Sequence, residues 1–265
     1  MLKLLLIPLF VYLALLVLIY ALQTRLIFPA GLARGAVAPP DGSVTLTIAE
    51  PGGEMLHGIH VAPAVPAGEA PVILGFGGNA WNAGTAAVYL HRLYPEADIV
   101  AFHFRGYAPS TGAPSAAALT ADALLVHDEV ARRFPGRQIV AVGFSIGSGV
   151  AAFLAARRKV AGAILVTPFD TLEKVAANHY PWLPVRFLFR HPMPAAQWLS
   201  ESEVPVAIVA AQRDTLIPPA RTDGLRGSVP KLVFDRTIAG AGHNDIYDRA
   251  EFQAAMREAL DAVGR

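Results

Sequence analysis

The chain has 265 residues, of which 54% are apolar and 16% charged, against a usual charged share of about 25%. This excludes intrinsic disorder, which needs low hydrophobicity and high net charge. A net charge of +1 gives no footprint for nucleic acid, and the absence of cysteine removes disulfides, thiolate metal sites and a cysteine nucleophile.

The first element is an apolar helix. Leu4 to Leu22 carries no charge over 19 residues, enough for roughly 28 Å of helix, close to the hydrocarbon thickness of a bilayer. Pro8 falls near the start, where a helix tolerates it best, and Tyr20 falls where an aromatic ring suits an interface. A cleaved signal peptide would have an apolar region of about 7–15 residues ending in small residues. Here the run is longer and ends Tyr20-Ala21-Leu22-Gln23. Residues 1–24 are therefore expected to form an uncleaved single-pass anchor. Lys3 before it and Arg25 and Arg34 after it nearly balance, and the short basic tail favours placing the main domain on the non-cytoplasmic side. Residues 25–42, with Pro29, Pro39, Pro40, Gly31 and Gly35, are expected to be a linker. The main domain is expected to occupy residues 43–265.

Strand signals follow at 44–49, 55–61, 71–76, 98–103, 138–143, 161–166, 205–210 and 231–237. Several are unbroken apolar runs, such as Ile139-Val140-Ala141-Val142, the pattern of strands buried on both faces. Helical patterns lie between them at 84–94, 115–134, 146–158, 218–226 and 246–263. This alternation predicts an α/β fold: a mostly parallel eight-stranded sheet with helices on both faces and an antiparallel start at its first two strands. Residues 168–204 break the rhythm with five prolines among Tyr180, Trp182, Phe187, Phe189 and Trp198. That stretch is too long for a plain connection and is expected to be a helix plus an apolar cap insertion over one edge of the sheet.

Chemistry is signalled at strand ends. Gly143-Phe144-Ser145-Ile146-Gly147 fits G-x-S-x-G between a strand and a helix, where tight turning exposes a serine hydroxyl. A serine needs a base to take its proton. His243, in the small-residue loop Gly240–Asp245 after the last strand, is the candidate. The other seven histidines are expected to be structural. Asp214, after strand 205–210, is the favoured acid to orient the imidazole, with Asp170 as its competitor. The backbone N–H groups of Asn79, in Gly77-Gly78-Asn79-Ala80, and of Ile146 are the candidate oxyanion donors.

Together these segments resemble an α/β-hydrolase, and are most similar to its membrane-anchored branch of lipid and acyl-protein hydrolases. Arg25-Leu26-Ile27-Phe28-Pro29 resembles the short motif after the anchor. Gly77–Ala80 resembles the branch's H-G-N-A loop, and Phe104-Arg105-Gly106-Tyr107 its Y-R-G-Y-G loop. Three positions depart from the branch. Gly77 replaces a histidine, an expected loosening of the oxyanion loop. His103 replaces an aspartate, an expected loss of a partner for Arg105. Ala210-Ala211 replaces His-Gly.

The resemblance implies a serine hydrolase acting through an acyl-enzyme with the triad Ser145, Asp214 and His243, and with no metal or organic cofactor. Activity is expected to fall on acidification, once the imidazole carries a proton and cannot accept another. The substrate is expected to be a lipid-like or acyl carboxylic ester or thioester, with Trp81, Trp182, Phe187 and Trp198 as candidate contacts. A peptidase of the same fold and a catalytically silent interaction protein are the alternatives.

Overall fold

The computed structural model describes residues 2–33, 38–65, 68 and 70–264; Arg34 and Gly35 of the expected linker lie outside them. A long apolar helix, α1 (Leu2–Ile27), leads into the domain. It is long and apolar enough to cross a membrane. Pro8 sits inside it, where it removes one intrahelical donor.

Part of the expected linker packs on the domain. α1 continues to Ile27, and Phe28 and Ala33 are buried in the domain core. The physical reason is apolar content: Leu26-Ile27-Phe28 extends the hydrophobic run past Arg25.

The domain alternates strands and helices. In order these are β1 (Val44–Ala49), β2 (Met55–Val61), β3 (Val72–Phe76), α2 (Ala83–Leu93), β4 (Asp98–Phe102), α3 (Ala116–Arg133), β5 (Ile139–Phe144), α4 (Ile146–Ala155) and β6 (Gly162–Val166). Three short helices follow: α5 (Leu172–His179), α6 (Val185–Leu188) and α7 (Ala195–Leu199). Then come β7 (Val206–Ala211), α8 (Pro219–Arg226), β8 (Leu232–Ile238) and α9 (Ala250–Val263). Polar side chains start the helices where the sequence offers them. Asn82 accepts from the Thr85 N–H at 2.8 Å, and Ser115 from the Ala118 N–H at 3.0 Å.

The eight strands form one sheet in the order β1-β2-β4-β3-β5-β6-β7-β8. β1 and β2 pair antiparallel, β2 joins β4 antiparallel, and every later pairing is parallel. Alternation along each strand divides the core. Val72, Leu74, Ile139 and Ala141 face α3 and α4, whereas Ile73, Val140 and Val142 face α2 and α9. Both halves are apolar, which is why these strands read as unbroken hydrophobic runs. Helices α5 to α7 form the cap: the stretch from Trp182 to His191 bonds to α1, and α7 packs against α4. The final helix begins at Ala250, later than the pattern from 246 suggests, after a single 3-10 turn at Ile246–Asp248.

Candidate active site

The loops after β3, β5, β7 and β8 all leave the carboxyl ends of parallel strands, the edge where open α/β sheets place their sites. Ser145 sits between β5 and α4 with φ 52 and ψ −118, a conformation that costs a non-glycine residue on the order of 1–3 kcal/mol. Its surroundings hold it there. Its N–H donates to the Val166 carbonyl at 2.9 Å, and its own carbonyl accepts from the N–H and hydroxyl of Ser148 at 2.9 and 2.5 Å. The flanking glycines are required by space. A Cβ on Gly143 would lie 2.2 Å from the Gly147 carbonyl oxygen, and one on Gly147 would lie 2.3 Å from that of Phe76.

His243 reaches the serine from the loop after β8. Its Nδ1 lies 2.7 Å from Asp214 Oδ2, and its Nε2 lies 3.0 Å from Ser145 Oγ. A carboxylate only accepts, so Nδ1 carries the hydrogen and Nε2 is left to accept from the serine hydroxyl. The second oxygen of Asp214 accepts the N–H groups of Leu216 and Ile217 at 2.9 and 2.7 Å. All three side chains are buried. The acid and histidine loops are also joined directly. The Arg213 N–H donates to the Ala241 carbonyl at 2.7 Å, and the Gly240 N–H to Gln212 Oε1 at 2.7 Å. Asp170 is not brought to the histidine: it holds Lys174 at 2.9 Å and Arg221 at 3.2 Å.

Asn79, Ser145 and Ile146 line one cavity of about 400 Å³ beneath the cap. The Asn79 N–H bonds no described residue, and Ile146, first in α4, has an N–H with no carbonyl one turn back. The Asn79 side chain is fixed from two sides. It donates to the Ile27 carbonyl at 2.5 Å and accepts from the Tyr107 hydroxyl at 2.8 Å. Gly77 therefore does not leave this loop unsupported. A Cβ there would come within 3.1 Å of the Trp81 Cβ, so a histidine would crowd the turn.

The aromatic candidates separate. Trp182 lines the cavity. Trp81 does not: it packs behind the serine against Phe144 and Tyr247, with ring centroids 5.0 Å away in each case. Trp198 packs on Phe153, with centroids 5.0 Å apart, and Phe187 projects outward, 83% exposed. Within the cap, α5 and α6 turn residues to the cavity, whereas α7, which carries Trp198, packs on α4. Two further expectations change. Arg105 is not short of partners: Asp122, Glu50 and Glu54 all pair with it. His179 is more than structural filler, because it lines the cavity and its ring lies 2.8 Å from the Leu216 carbonyl of the acid loop. His103 is held neutral, burial and nearby His57 pushing it down to about 4.

The family model for the alpha/beta hydrolase fold matches residues 72–192. An uncharacterized protein of Mycobacterium tuberculosis is 32% identical over 189 residues, covering 69% of this chain and 66% of that protein. The lysophosphatidylserine lipase ABHD12 of Danio rerio is 26% identical over 228 residues, covering 72% of this chain and 58% of the lipase. The chain belongs to the α/β-hydrolase superfamily. It spans 58% to 66% of the length of these two relatives. A bacterial membrane phospholipase A has the same fold at 15% identity, with a TM-score of 0.61 over 98% of this chain and 99% of that one.

This α/β-hydrolase has site residues that sequence reasoning missed. Ile19, Gln23, Leu26 and Ile27 of α1 line the cavity over Ser145. The available signal was the pair Gln23-Thr24 closing an apolar span, which reads equally well as an ordinary polar flank.

Proposed function

We propose that the chain is a membrane-anchored serine hydrolase that cleaves ester or thioester bonds of lipid-like acyl substrates, with residues 1–24 as its anchor. The observation that carries this is the Ser145–His243–Asp214 relay, at 3.0 and 2.7 Å, opening into a cavity whose lining is mostly aliphatic and aromatic. In this reading Ser145 Oγ attacks the carbonyl carbon while its proton passes to His243 Nε2. The N–H groups of Asn79 and Ile146 hold the oxyanion. The carbon–oxygen or carbon–sulfur bond to the leaving group then breaks, and His243 returns the proton to that group. Water, deprotonated by the same histidine, cleaves the acyl-enzyme to the acid and free serine. The lipase named among the relatives supports a lipid-like ester, and the apolar helix supports a membrane location.

The test is labelling of the full chain in detergent by a fluorophosphonate probe. Wild type is expected to label, and Ser145→Ala and His243→Ala are expected not to. A folded wild type that stays unlabelled overturns the reading. Faster cleavage of aminoacyl amides than of esters would favour a peptidase instead.

A further inference from the structure

One wall of the cavity comes from outside the α/β domain. Ile19, Gln23, Leu26 and Ile27 follow helical spacing on a single face of α1, opposite Trp182, Leu188 and Phe189 of the cap. This wall is fastened in place. Gln23, 5% exposed and the one buried side chain among those described on α1, donates to the Leu188 carbonyl at 3.0 Å and accepts from the Arg190 N–H at 2.9 Å. His191 Nδ1 faces the Ala116 N–H at 3.4 Å, which leaves its Nε2–H for Thr24 Oγ1 at 2.9 Å. The carbonyl of Ile27 accepts from the oxyanion-loop side chain of Asn79.

The contact continues along the helix. The Tyr12 hydroxyl donates to the Trp182 carbonyl at 3.0 Å. From Tyr12 to Ile27 is about 22 Å at 1.5 Å per residue, most of a hydrocarbon layer about 30 Å thick. The cap thus lies beside the apolar part of α1, and its Tyr180, Trp182 and Phe187 are exposed. Among the described residues, none lining the cavity is Asp, Glu, Lys or Arg. The lining suits a hydrocarbon chain and offers no partner for a charged peptide terminus.

We propose that α1 is the selectivity wall of the active site. Ile19 and Leu26 set the length of acyl chain accepted, and the substrate is a membrane-resident long-chain acyl ester whose chain passes between α1 and the cap without leaving lipid. The proposal rests on the hydrolase reading above and extends it to the substrate class.

The test uses the full chain in detergent with 4-nitrophenyl esters from butyrate to palmitate. Ile19→Phe and Leu26→Phe fill the wall. Val17→Phe places the same ring at a position about as exposed as Leu26 (69% against 66%) but outside the cavity lining. Each methylene kept out of an apolar site costs roughly a factor of four. The ratio of long-chain to short-chain kcat/KM is expected to fall about tenfold or more in the first two variants and to stay near wild type in the third. Equal loss on long and short esters, no loss, or the same loss in Val17→Phe overturns the proposal. Binding gives a second readout, independent of catalysis. Quenching of tryptophan fluorescence by 9,10-dibromostearate in Ser145→Ala is expected to need about tenfold more ligand when Ile19→Phe is added, and an unchanged titration overturns the wall. A wild type that neither labels with fluorophosphonate nor hydrolyses ester, yet binds dibromostearate in an Ile19-dependent way, would sink the hydrolase reading and leave the wall standing.

Discussion

Asp214 divides its carboxylate between two tasks: one oxygen orients His243, and the other fixes its own loop through two amides. Asp214→Asn keeps the size but offers a side-chain N–H where an acceptor is needed. We expect kcat on a short ester to fall about 10⁴-fold with the fold intact, checked by kinetics beside circular dichroism. Ser145, Asp214 and His243, which the fold places at hydrogen-bond distances of 3.0 and 2.7 Å, were legible because each stands in a short loop after a strand, in the order this sheet type uses. The partners of Arg105 were not legible. Glu50 and Glu54 bound the turn between β1 and β2 and Asp122 lies on α3, and only the fold brings them together. The neighbouring His103 gives a pH signature. Folding lowers its affinity for protons from the ordinary 6.5 to about 4, so the unfolded chain takes up the proton first as pH falls. Its contribution is intact above that window and is lost between pH 6.5 and about 4. Tm measured across this range is expected to fall less steeply in His103→Leu than in wild type.

At the scale of elements, the turn from β5 into α4 allows no side chain on its glycines. Gly147→Ala drives a Cβ against the backbone of Phe76 and Gly77, and it is expected to yield no folded protein in a thermal melt. The loop after β3 is held by longer-range contacts. Tyr107→Phe removes the hydroxyl that donates to Asn79 Oδ1. Under the proposed mechanism we expect kcat to fall about tenfold with KM nearly unchanged, because a loosened oxyanion donor weakens the transition state more than the ground state. The elements themselves were readable from apolar runs and their punctuation. The cap was readable only as an anomaly, since helices of four and five residues leave no periodic pattern. The burial of Phe28 within the expected linker was hidden for a related reason: prolines and glycines mark a break in secondary structure, but not which neighbouring residue joins the core.

For the whole molecule, the junction between α1 and the domain decides how the parts act together. Gln23→Ala would leave the Arg190 N–H and the Leu188 carbonyl without their partner, a loss of about 1–3 kcal/mol if both stay dry. The expected readout is a lower Tm in detergent together with a weaker preference for long esters. Those same bonds make α1 a stiff mount rather than a flexible leash. Under the proposed membrane anchoring, such a mount holds the mouth of the cavity at one depth, and substrate is met by drift within a two-dimensional film. Its rate should then follow surface dilution. In mixed micelles at constant bulk ester, added inert detergent is expected to slow turnover in proportion to the falling mole fraction of ester. A rate that tracks only the bulk concentration would mean that substrate arrives from water.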